Sequence, residues 1–202
     1  MPARRLQIDD PDGTGPRALR DVRPPLRNAG RAHSLAQVLE IVFEVTGLSL
    51  GYDAVMGLSG LAFRTPAWPE TVALTPEETA DAVGALSGAL SVSLRLQAAD
   101  DTAPDELLRV VAESVQAGRP VAMLGWGAVK ESWSVIAGYD PSRGRLLGHC
   151  LLDGPREQYE SWPPSAEMVV VVEAAPRPGG RESVRQAIEA GADRWQSDGR
   201  KR

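Results

Sequence analysis

The chain holds a single cysteine, Cys150, which excludes an internal disulfide framework and any cysteine-built zinc site. Two histidines, His33 and His149, leave little for a metal centre, so neither a metal nor another cofactor is expected. Lysine is nearly absent, with 20 of the 22 basic residues being arginine, and 27 acidic residues bring the formal net charge to −5. That balance gives no reason to expect a nucleic-acid partner. No apolar run approaches the roughly 18 residues needed to span a bilayer. The opening MPARRLQIDDPDG carries charge without an apolar stretch behind it, so neither a membrane span nor a secretion signal is expected, and a cytoplasmic location follows.

What is present suits one ordinary domain with loose ends: 202 residues, 43% hydrophobic, with 20 glycines and 16 prolines as punctuation. Residues 1–29 combine arginines, aspartates, prolines and glycines with no apolar period, the pattern of a flexible arm. Order begins at Ser34, the expected N-cap of a helix whose Leu35, Val38, Leu39, Val42 and Val45 form one buried stripe ending at Gly47. Glu40 and Glu44, at i and i+4 on that helix, read as a solvated face rather than a metal pair. Gly57 to Gly60 lacks the Lys-Ser/Thr of a phosphate loop and reads as a tight turn. Thr75-Pro76-Glu77-Glu78 has capping-box spacing and opens a helix to Leu90, followed by a short strand over Ser91 to Leu96. Asp105 to Gln116 is a further amphipathic helix, stopped by Gly118.

The pattern then changes. Val121 to Leu124, Trp133 to Gly138, Leu146 to Leu152 and Met168 to Val172 are short apolar runs separated by turn clusters, which predicts antiparallel strands. Helices first and strands second predict an α+β fold, a helical half packed on a small antiparallel sheet. The expected division is an arm (1–29), one domain (30–176), and a C-terminal helix with a frayed tail (177–202). A hairpin turn over Asp140 to Gly144 would set His149 across from Val135. His149 and Cys150, being consecutive on a strand, would face opposite ways and form no dyad.

Three segments in order, His33-Ser34 to Gly47, Met56-Gly57-Leu58-Ser59-Gly60-Leu61-Ala62-Phe63-Arg64, and Gly118-Arg119-Pro120-Val121 before Trp133 to Asp140, resemble the papain-like cysteine-peptidase superfamily. The branch is that of double-glycine-leader peptidases and the N-terminal domain of butirosin biosynthesis protein H. The resemblance spans roughly residues 30 to 175, and it implies a papain-like fold with a nucleophile at the start of the central helix and a histidine on a later strand. Carried over by residue, it puts Ser34 at the cysteine position, Ser132 or Trp133 at the histidine position, and Asp153 at the orienting position, with Asp140 as the alternative. Both reactive groups are replaced.

Three readings follow. In the first, the domain is a non-catalytic papain-like module that binds a peptide or small natural-product ligand in a cleft bordered by Ser34, Arg64, Trp126, Glu131, Ser132 and Trp133. In the second it is a serine-based hydrolase or acyltransferase using Ser34, for which a base must be found, because a serine hydroxyl is un-ionised at neutral pH. In the third it is an interaction or assembly module, open to homo-oligomerisation, whose exposed tryptophans and charged tails meet a partner.

Overall fold

The structure, a computed structural model, describes residues 17–19, 22–23, 25, 33–48, 50–63, 74–98, 104–126, 132–150, 158–161 and 166–173. It is α+β. The helices are α1 (Ser34–Val45), α2 (Tyr52–Leu58), α3 (Pro76–Leu90) and α4 (Pro104–Gln116), with a single 3₁₀ turn at Leu61–Phe63. The strands are β1 (Arg17–Ala18), β2 (Leu94–Ala98), β3 (Val121–Leu124), β4 (Trp133–Asp140), β5 (Arg145–Cys150), β6 (Gln158–Ser161) and β7 (Met168–Val172). They form one sheet in the order β2-β7-β3-β4-β5-β6, every neighbour antiparallel, with β1 pairing to β4 where β3 has ended. The expected C-terminal helix and tail, 177–202, lie outside the described residues.

Every residue of β3, β4 and β7 is buried, so this antiparallel sheet has no wet face in its middle. Helices α1 and α4 both pack on β3 and β4, and α3 covers the edge strand β2. The helix α3 opens as expected. The Thr75 hydroxyl accepts the Glu78 N–H at 3.2 Å and the Glu78 carboxylate accepts the Thr75 N–H at 2.9 Å, behind Pro76 at the first helical position. The following strand starts later than expected. Ser91 takes a left-handed conformation (φ 51°) to end α3, and the Ser87 hydroxyl accepts the Leu94 N–H, so residues 91–93 are spent on helix termination.

The expected single stripe of α1 is an underestimate, because Leu35 through Phe43 are all buried, Gln37 and Glu40 among them. The cover on its polar side comes from the stretch expected to be a flexible arm. Arg17 and Ala18 pair with Tyr139 and Gly138, the Leu19 N–H donates to the Ala137 carbonyl at 2.7 Å, and Leu19 and Val22 join the core. Arg23 then reaches α1, with Nη2 3.1 Å from Glu40 and Nε 2.7 Å from Glu44. Glu40 is therefore an internal anchor and not part of a solvated face. An apolar period too short to register in the sequence, Leu19 and Val22, is enough once a strand edge is available.

The β4–β5 hairpin places its residues as expected, with Val135 opposite His149 and Ser134 opposite Cys150. A bulge at Ala137 lets Gly148 face Ile136, where a Cβ on residue 148 would lie 2.4 Å from the Val135 carbonyl oxygen. Only glycine fits. The turn is built by Asp140, whose carboxylate accepts the Ser142 N–H (3.1 Å), the Ser142 hydroxyl (2.6 Å) and the Arg143 N–H (3.3 Å). β6 is not foreseen from the sequence because its QYES carries no apolar run, and only its pairing with β5 makes it a strand. Among the described residues no helix is long and apolar enough to cross a membrane.

Candidate functional site

Ser34 begins α1, and Trp133 begins β4. The two meet: the Trp133 N–H donates to Ser34 Oγ at 3.2 Å, across 99 residues of sequence. Ser34 is the first helical residue and not the expected N-cap. His33 occupies the cap position with extended backbone (φ −110°, ψ 116°) and gives no side-chain cap, and no acidic residue stands in the first turn. The Ser34 hydroxyl is thus released from capping and turned to the strand, while the positive end of the helix dipole stays uncompensated by any of these groups.

Around this junction the described side chains are closely packed. Ser34 is partly exposed, whereas Ser132 and Trp133 are buried, and Trp126 is fully so. Trp126 follows Gly125, which turns the chain out of β3 with φ 86°, and its carbonyl accepts the Ser134 hydroxyl at 3.0 Å. Three polar atoms here are buried and without a hydrogen-bond partner: Ser132 Oγ, Trp126 Nε1 and His33 Nε2. An unpartnered buried polar atom costs about 1–3 kcal/mol, so each of the three is a local cost to the fold. Burial pushes the His33 imidazole below its ordinary range, leaving it neutral at pH 7.

His33 is next in sequence to Ser34, yet its Nε2 has no hydrogen-bond partner and the described partner of Ser34 Oγ is a backbone donor. Its backbone N–H is held by the Tyr52 hydroxyl at 3.2 Å, and the Tyr52 N–H in turn by Glu40 Oε1 at 3.2 Å. Sequence reasoning misses Tyr52, whose only signal is an aromatic at the start of a short helix after Gly51.

The remaining candidates separate cleanly. Arg64, Glu131 and Asp153 lie outside the described residues. Asp140, the alternative orienting residue, is committed to its turn, seven strand residues or about 23 Å from Trp133 along β4. It does not reach the junction. The Ser142 hydroxyl, helped by the Arg143 and Ser142 N–H groups, holds the Asp140 carboxyl below its ordinary range. Cys150 is buried across from Ser134, and among the described residues no group of three or more metal-ligating side chains comes together. The described tryptophans, Trp126 and Trp133, are both buried, so they are not the exposed rings that an interaction module would present. Compared with known protein families and with curated proteins, the chain matches none, and the functional reading rests on the geometry of the junction.

Proposed function

We propose that this chain is a non-catalytic papain-like domain that binds a peptide or small-molecule ligand at the Ser34–Trp133 junction. One observation carries the reading. The two positions that the resemblance assigns to nucleophile and base are in contact, and they hold a hydroxyl and a backbone N–H instead of a thiol and an imidazole. A hydroxyl that accepts a hydrogen bond from an amide has had nothing done to remove its own proton, so the arrangement favours binding over acyl transfer. The unpartnered Ser132 Oγ, Trp126 Nε1 and His33 Nε2 support a ligand with polar atoms of its own.

The test is amide and indole NMR on the isotope-labelled full chain titrated with a mixed library of short peptides. Shifts centred on the amides of Ser34, Leu35 and Trp133 and on the Trp126 indole N–H are expected. Shifts confined to surfaces away from the starts of α1 and β4 would refute it. The serine-hydrolase reading is checked on the same sample: a stoichiometric fluorophosphonate adduct that disappears in Ser34→Ala would replace binding with catalysis.

A further inference from the structure

We draw no further inference here: the strongest candidate, the uncapped start of α1 as a seat for a ligand carboxylate beside the buried His33 and Ser132 side chains, belongs to the site already described, and no described contact aims either side chain at the helix end.

Discussion

Replacing Ser34 by cysteine turns the electrostatics of the junction into a measurable number. The sulfur would stand at the first position of α1, where no side-chain cap and no carboxylate in the first turn competes for the helix N-terminus. A thiolate there gains about 1 kcal/mol from the helix dipole. The Trp133 N–H, now on Ser34 Oγ at 3.2 Å, gains about 1 kcal/mol more on becoming a bond to a charged acceptor. Together these lower the thiol by about 1.5 pKa units, from about 8.5 to about 7, since each unit is worth 1.36 kcal/mol. The assay is the pH dependence of iodoacetamide alkylation at residue 34, followed by mass spectrometry of the peptide, with the buried Cys150 as an unreactive internal control. A midpoint at 8.5 or above would refute the reasoning, because it would mean that the helix terminus and the Trp133 amide do not act on the side chain of residue 34.

Two further outcomes follow from the same geometry. Gly148→Ala should cost about 2–3 kcal/mol, because the new Cβ cannot clear the Val135 carbonyl without opening the β4–β5 ladder, whereas Gly84→Ala, with open space around it in α3, should gain about 0.5–1 kcal/mol. Urea midpoints measure both, and equal effects at the two sites would contradict the close approach. Because burial holds the folded-state His33 imidazole below its ordinary value of about 6.5, the unfolded chain takes up the proton first as pH falls. Stability is therefore full above about pH 6.5, declines as pH drops from there through the lower folded value, and then levels off. His33→Gln should flatten that slope between pH 7.5 and 5, and an unchanged slope would assign it elsewhere.

Much of the fold is legible in the sequence because it is fixed by local chemistry. Capping-box spacing at Thr75, stop signals at Gly47 and Gly118, and compact β-branched runs such as Met168–Val172 act within a few residues, and each appears where those rules place it. The opposition of Val135 and His149 follows from counting out of a turn that Asp140 does form. The features that no local rule reveals depend on partners distant in sequence. Nothing near Leu19 and Val22 announces a docked strap, because the edge of β4 that receives it lies more than 115 residues away. The buried role of Glu40 likewise needs Arg23 and Tyr52, which come from two other segments. Ser34 is recognisable as a helix-terminal residue, but its hydroxyl serves β4 rather than its own helix.

The inventory of donors at the junction is the chemical ground for proposing binding over catalysis. The Trp133 amide and the Trp126 indole N–H only donate, and the Ser132 and Ser34 hydroxyls donate as readily as they accept. Attack by Ser34 requires a group that removes its proton, and an indole has no lone pair in its plane to do so. His33 has such a nitrogen, but it is the N-cap residue, its Nε2 makes no hydrogen bond, and Ser34 Oγ is instead bonded to the Trp133 N–H of β4. A surround dominated by donors is instead satisfied by acceptors, which the carbonyl oxygens of a peptide or the oxygens of a small acid supply. Filling Ser132 Oγ and Trp126 Nε1 in this way would recover the roughly 1–3 kcal/mol that each costs while unpaired.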